Sequence, residues 1–351
     1  MRAILAAALV LAAGPPRATS PQRSILPVSA YEALLEEYRS GDADNAVRRA
    51  AVFEFRLTLD KDFTAFLQDP DVRLVTAAAA LHAEAALRPG VNFSAAWAAG
   101  HLRLAATIVE IGTPTRMKRL GAFDLRRSQI MPVSPQFRRL WFLAAVTAMQ
   151  HGGRLGLAKT YLDNARLFFP HDSEILLLSA ITEEMAASTR LIDASAGERR
   201  KALADAEEYL RESVALAPDR FEARLRLGRV LAQRGQAKEA RELLTPLTGV
   251  PDVRVSYLAA LFLGGLEDGA GDTTAAASWY TQAAARLPAA QAARIAASEL
   301  RHRAGERQAA VSALPGAIGP ANNDDPWWAY LFGEYWRIDL YLDAMRKMAR
   351  S

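Results

Sequence analysis

The chain has 351 residues, 51% hydrophobic and 23% charged, with a formal net charge of +4 and no cysteine. That composition excludes a disordered polymer, which could not bury enough apolar surface to fold. So small a charge over this length argues against a nucleic-acid binder. The missing cysteines remove disulfides, thiolate metal sites, a lipid-modified cysteine and a cysteine nucleophile.

Residues 1–20 read as an export signal. Arg2 gives a positive start, Ala3 to Ala13 form an apolar run, Gly14-Pro15-Pro16 breaks it, and Ala18-Thr19-Ser20 offers small residues for cleavage. The run is shorter than the roughly 20 residues a membrane span needs, and no second long apolar segment follows. The expectation is an exported protein, periplasmic or extracellular, soluble after cleavage.

Residues 27–112 suggest N-terminal helical hairpins. Ala30 to Arg39 and Asn45 to Arg56 flank Gly41-Asp42; Val72 to Leu87 and Ala95 to Ile111 flank Arg88-Pro89-Gly90. His82 and His101 lie nearly equidistant from Pro89-Gly90, so an antiparallel hairpin would set them at similar height, with Glu84 nearby. Two imidazoles and a carboxylate could ligate zinc. No H-E-x-x-H spacing exists, however, and Glu84, two residues from His82, falls on another helix face. Structurally satisfied histidines are the stronger reading, and no metal, catalytic or cofactor-binding residue is assigned. A metal-binding or enzymatic helical protein centred on the His82/His101 hairpin is the alternative.

Residues 113–135 show little periodicity and read as a basic loop or linker. Arg116, Lys118, Arg119, Arg126 and Arg127, followed by Arg138 and Arg139, face one acid, Asp124. Such a run is ordinarily a solvated loop; the functional alternative is a weak contact with an anionic surface.

From 136 to 316 one spacing recurs. Ala158, Leu162, Ala165 and Pro170 are repeated as Ala206, Leu210, Ser213 and Pro218, and again as Ala276, Tyr280, Ala283 and Pro288. A glycine stands five residues before the alanine at Gly153 and Gly271. The same step recurs at Gly235/Ala240, Gly305/Ala310 and, more faintly, Gly41/Ala46. A fixed small–large–small–proline rhythm describes one helix made repeatedly in one environment, as in a solenoid. Leu203 to Ala217, Phe221 to Gln233 and Ala237 to Leu247 carry helical periodicity, and an insertion at 188–200 separates two helices.

These segments resemble the tetratricopeptide repeat family. The best copy has Leu227-Gly228, Leu231, Gly235, Ala240 and Leu244, in the order of the family's L-G, large residue, glycine turn and A-x3-F pattern. A second has Leu263-Gly264, Gly271, Ala276, Tyr280 and Pro288, with Glu267 in place of the usual tyrosine. A third has Phe142, Gly153, Ala158, Leu162, Ala165 and Pro170, with Ala145-Val146 in place of Leu-Gly. The resemblance covers about 136–314. It implies that the first helix of each repeat lines a groove for a peptide or partner helix. Carried over residue by residue, that groove is Leu140, Leu143, Thr147, Gln150, Leu176, Glu183, Glu222, Leu225, Arg229, Leu258, Leu261 and Asp268. The Lys and Asn pair of carboxylate-binding members is missing, which leaves a mainly leucine groove suited to an apolar segment; a register shift of one would instead make some of these leucines core.

At 322–351, Asp325-Pro326 starts a helix, and Trp327, Trp328, Tyr330, Phe332, Tyr335, Trp336 and Tyr341 make it aromatic. An end repeat must cover its open apolar face, so this segment is expected to be a cap, with folding back into the groove as a combined possibility. The fold expected is all-α: a right-handed helical-hairpin solenoid with an irregular N-terminal helical region and a C-terminal capping helix. The resemblance implies a noncatalytic scaffold or adaptor holding a protein or peptide partner, without nucleic acid or cofactor.

Overall fold

A computed structural model of the chain describes residues 28–52, 72–91, 95–109, 133–188, 195–312, 314, 325–330 and 337–351. The expectations for residues 1–20, for Arg116, Lys118, Arg119, Arg126 and Arg127, and for Phe332, Tyr335 and Trp336 lie outside these. No strand occurs among the described residues, and none of the described helices is long and apolar enough to cross a membrane.

The helices pair in chain order. The hairpins are α1 (Val28–Ser40) with α2 (Ala43–Ala50), α3 (Val72–Leu87) with α4 (Ala95–Val109), and α5 (Pro135–His151) with α6 (Leu155–Phe168). Then come α7 (Ser173–Ala187) with α8 (Ala196–Leu216), α9 (Phe221–Gln233) with α10 (Ala237–Leu244), α11 (Val253–Gly269) with α12 (Thr273–Arg286), and α13 (Ala292–Arg303) with α14 (Arg307–Ser312). Each hairpin packs on the next, so the molecule is an all-α helical-hairpin solenoid. The N-terminal hairpins, expected to be irregular, follow the same plan: α3 packs on α1, α2, α4 and α5.

Local chemistry sets the boundaries. Gly153, Gly235, Gly271 and Gly305 have φ between +67° and +85°, the left-handed conformation that only glycine adopts at little cost, and each lies just beyond the first helix of its hairpin. Pro135, read as loop from the sequence, is instead the first residue of α5, with the Ser134 hydroxyl accepting from the Phe137 amide. Ser195 and Glu198 form a reciprocal capping box that starts α8 at Ala196, inside the expected insertion. Pro246, which lacks an amide hydrogen, stands in the 3-10 turn Thr245–Gly249 that follows α10, so the helix stops at Leu244 rather than Leu247.

The recurrent spacing is the packing stripe of the second helices. Ala276, Tyr280 and Ala283 are the buried residues of α12, and Ala206, Leu210 and Ser213 join Ala202 in α8. In α10 and α12 the large residue of the stripe fills a gap in the facing helix. A Cβ on Gly228 would lie 2.6 Å from Leu244 Cγ, and one on Gly264 would fall inside contact with the Tyr280 ring.

The apolar core forms two clusters. One runs from Tyr31 to Ala240 and includes Ile338, Tyr341, Leu342, Met345 and Ala349. The other runs from Leu225 to Leu300 and includes Tyr330. They meet on α9, whose Leu225 belongs to the second and whose Leu227, Val230 and Leu231 belong to the first.

The expected aromatic helix over 325–351 is described as two pieces, α15 (Pro326–Tyr330) and α16 (Ile338–Arg350). Only α15 lies near the end of the array, against α11; α16 packs on α3, α5 and α1 at the opposite end. A local pattern specifies a helix, whereas its place is set by the surface its apolar stripe finds.

Gly264→Ala should destabilise the protein by about 1–3 kcal/mol, because overpacking against Tyr280 outweighs the gain in helix propensity of about 0.5–1 kcal/mol. Gly265→Ala, whose Cβ would meet only Tyr280 Oη at 4.0 Å, should be neutral or stabilising. Thermal unfolding of the two variants checks the contrast.

Candidate functional site

The first helices of the hairpins, α1, α3, α5, α7, α9, α11 and α13, form a continuous row whose neighbours touch directly or through the intervening second helices. The face that this row presents is called here the inner face. Three sections of it differ in what covers them.

Over the first section lies α16. Its stripe Ile338, Tyr341, Leu342, Met345 and Ala349 is buried, at the i, i+3, i+4, i+7 spacing of a helix laid on a surface. Charged groups fix its register. Glu84 of α3, fully buried, accepts from Tyr38 Oη at 2.5 Å, Arg88 Nε at 2.8 Å and Arg346 Nε at 2.8 Å, and from a second Arg346 nitrogen. Arg346 also bonds Asp44 at 2.7 Å, and Arg39 Nε donates to the Ala349 carbonyl at 3.2 Å. Burial and the adjacent Glu84 carboxylate push the Tyr38 hydroxyl well above the usual phenol range. Near the other end of α16, Glu174 accepts from Tyr341 Oη at 2.7 Å and pairs with Arg337 at 2.9 Å and Arg139 at 3.0 Å. Burial alone would raise the Glu174 carboxyl; these partners and Arg220 hold it below its ordinary value.

The middle section is a buried ionic cluster. Arg226 of α9 is 1% exposed and donates to Glu222 at 2.8 Å, Glu184 at 2.8 Å and the Tyr330 carbonyl at 3.0 Å, with its guanidinium 4.1 Å over the Tyr330 ring. Burial disfavours the cation, but Tyr330, Glu222 and Glu184 reverse that and raise its pKa. Arg229 bonds the other Glu184 oxygen at 3.0 Å and lies over the rings of Tyr330, Trp327 and Phe262 at 4.9, 5.4 and 5.7 Å.

The third section is open. A cavity of about 630 Å³ lies over α9, α11 and α13. Phe262, Leu261, Leu266, Tyr280 and Trp327 supply its large walls, Arg229 and Gln233 its polar lining, and Gly265, Gly269, Ala232, Ala292 and Ala296 its small-residue surface. Asp325 holds α15 in place: it accepts from Tyr257 Oη at 3.1 Å, from the Gln291 and Ala292 amides that open α13 at 2.8 and 2.7 Å, and from the Trp327 amide at 2.9 Å.

Of the groove residues carried over from the family, only Arg229 and Leu261 line this cavity. Leu143, Thr147, Gln150, Leu176, Leu225 and Leu258 are buried in the packing, and Gln150 Nε2 donates to the Leu178 carbonyl and Thr182. Leu140 is partly buried against the first cluster. Glu183 pairs with Lys159, Asp268 with Arg303, and Glu222 belongs to the Arg226 cluster. The leucine groove is thus core in its leucines. One residue of register turns a helix by 100°, and on α9 the polar series Glu222, Arg226, Arg229, Gln233 takes the covered or cavity-lining positions. Arg226, Glu184, Phe262 and Glu174 carried no motif; the i, i+4 pair Glu222/Arg226 inside an apolar helix was the available signal.

Two further candidates change. Arg138 and Arg139 leave the basic run: Arg138 is buried with its guanidinium 4.5 Å over Phe168, and Arg139 pairs with Asp172 and Glu174. His82 and His101 do meet, Nδ1 to Nδ1 at 2.8 Å, and Tyr31 Oη lies 2.9 Å from His82 Nε2. Glu84 turns away to its own partners, and no group of three His, Asp or Glu placed to hold a metal occurs among the described residues.

The fold defines an all-α helical-hairpin repeat protein with a cavity on the face of its first helices. Residues 199–261, from α8 into α11, match the model of a tetratricopeptide repeat family, so this stretch of the array is a tetratricopeptide repeat. No curated protein matches the chain. Among solved structures, MamA MSR-1 is similar at 19% identity over 51% of this chain and 94% of its own, with a TM-score of 0.38. MamA AMB-1 is similar at 18% identity over 51% of this chain and 96% of its own, with a TM-score of 0.37.

The histidine pair predicts an acid limit to stability. Burial lowers His101 to about 4 and His82 well below its ordinary value, His82 further through the neighbouring His101. The unfolded chain, with histidine near 6.5, therefore binds protons first. Stability is full above about pH 6.5 and falls as the pH drops toward 4, by up to about 3 kcal/mol for His101. Urea unfolding at pH 7.5 and 4.5 should show the loss, and His101→Gln should reduce it.

Proposed function

We propose that the protein is a noncatalytic interaction scaffold that holds a segment of another protein in the open section of its inner face. The observation that carries this reading is the cavity of about 630 Å³, in line with the helix row along which the chain already holds its own C-terminal segment. Phe262, Trp327 and Tyr280 offer aromatic walls, and the glycines and alanines between them leave room for a bulky side chain. Arg229 is already neutralised by Glu184. The cavity therefore suits an apolar or aromatic side chain on an otherwise polar segment better than a free carboxylate. The match of residues 199–261 to a tetratricopeptide repeat family supports the same reading, as an inference from fold to function.

Export belongs to this proposal and rests on the pattern of residues 1–20. The partner is then another exported or envelope protein. Sequencing the N-terminus of protein recovered from a secreting host should find it starting just after Ser20; a start at Met1 counts against export.

A photo-reactive side chain at Gln233, which lines the cavity, should crosslink a specific partner in cells. Gly265→Leu places a side chain into the cavity at a position where a Cβ is tolerated, so it should abolish the crosslink without lowering the melting temperature. An undiminished crosslink in that variant would remove the cavity as the site.

A further inference from the structure

We propose that the joint between the first two hairpins is an acid-released latch. The buried His82–His101 pair holds α1 and α2 against α3 and α4 while both imidazoles are neutral, and proton uptake frees the α1–α2 hairpin ahead of the rest of the array. The proposal concerns the N-terminal end of the molecule and does not depend on the open cavity.

Four helices meet at this pair. Tyr31 Oη of α1 lies 2.9 Å from His82 Nε2 on α3, and His82 Nδ1 lies 2.8 Å from His101 Nδ1 on α4. The three rings stack in the same order, with 5.8 Å and then 5.1 Å between centroids. The carbonyl of Ala50, the last residue of α2, faces His101 and favours its protonated form. Tyr31, His82 and His101 are each no more than 2% exposed. One direction of donation satisfies these contacts: Tyr31 Oη–H to His82 Nε2, His82 Nδ1–H to His101 Nδ1, and the other His101 N–H toward Ala50. A single hydrogen fits between the two Nδ1 atoms.

That arrangement has no place for added protons. One on His82 Nε2 meets the Tyr31 hydroxyl hydrogen, one on His101 Nδ1 meets the His82 N–H, and a doubly protonated pair sets two cations face to face. Among the described residues, the titratable groups facing the pair are its own two rings and Tyr31, whose hydroxyl burial keeps protonated; α2 contributes the Ala50 carbonyl. Glu84, two residues along α3, falls on another helix face, where Tyr38, Arg88 and Arg346 of α16 hold it. On α5, Arg138 lies over Phe168, Arg139 pairs with Asp172 and Glu174, and His151 is exposed. Burial accordingly lowers both imidazoles, and each lowers the chance that the other is charged.

The place of the pair makes this a latch. Both α1 and α2 pack on α3, and α1 has a lesser contact with α16. Opening that joint lets water reach both imidazoles without unpairing either hairpin. An apolar pair of the same shape would hold the joint about as well; what the imidazoles add is a response to protons.

Hydrogen exchange on the full chain tests it. Once open, both histidines titrate near 6.5, so the opening constant for α1 and α2 amides should rise at least about thirtyfold from pH 6.5 to 5.0, about twice what one histidine supplies. Throughout, α9 and α11 should be more protected than α1 and α2. Protection that is equal in all four helices and lost together would overturn the proposal, since the pair then acts only through global unfolding; a pH-independent opening constant would do the same. His101→Gln should cut the rise to that of one histidine. Imidazole nitrogen-15 shifts of the unaltered protein give a reading that needs no variant. At pH 7.5 they should show one hydrogen shared by the two Nδ1 atoms, whereas an imidazolium, or stoichiometric added zinc that moves both rings, would sink the latch.

Discussion

Two helices can approach only as closely as the smallest side chains at their crossing allow, and this constraint governs the whole array. Where α9 meets α10 and α11 meets α12, a glycine on the first helix admits Leu244 or Tyr280 from the second, and alanines or serine on either side let the backbones close. The positive-φ glycines then return the chain at a fixed angle. Because the second helices meet their obligations with one narrow stripe, their other faces are free to be polar. The first helices are different. They pack on their own partner and on neighbouring hairpins, so most of α7 and α9 is buried, and what remains is the inner face.

That division of labour explains where the chain places its polar chemistry. The buried ionic groups Glu84, Glu174, Glu184 and Arg226 all lie on first helices. A buried ion pair gains little over well-packed apolar residues of the same volume, while removal of one partner is strongly destabilising. Stability alone is therefore a poor reason for the Arg226 cluster. Its geometry fixes position instead: the two carboxylates orient the guanidinium, which then receives the Tyr330 carbonyl and ring. It sits on α9, where the two apolar clusters meet, and so fixes Tyr330 at that boundary.

The repeat rhythm and most helix boundaries were legible in the sequence because they rest on local chemistry: a glycine that must be left-handed, a proline that cannot donate, an alanine at a crossing. The N-terminal hairpins were legible as helices but not as members of the row, since they lack the Leu-Gly signature and their regularity lies in contacts. The residues read as groove divide: Leu143, Leu176, Leu225 and Leu258 are core, whereas Glu222 joins the Arg226 cluster and Arg229 and Leu261 line the cavity. Leucine spacing cannot distinguish the side facing a neighbouring hairpin from the side facing inward when both are covered, and on α9 the inward residues are charged. The destination of α16 was illegible for a deeper reason. Arg346 meets Glu84 across 262 positions of sequence, and nothing local to either residue announces the other.

The occupied and open sections of the inner face are physically joined, which bears on how any partner would be sensed. Trp327 forms a wall of the cavity and stacks on Tyr330, 6.2 Å between ring centroids, and Phe262 touches both rings. Yet Trp327 and Tyr330 belong to the same C-terminal segment as α16, separated from it by residues 331–337. A group held against Trp327 therefore binds better when that segment is docked, because an undocked segment takes the wall away. By linkage, such a group must stabilise the docked arrangement by the same factor. The aromatic residues at the end of the chain thus connect two sections of groove that the repeat architecture by itself would leave independent.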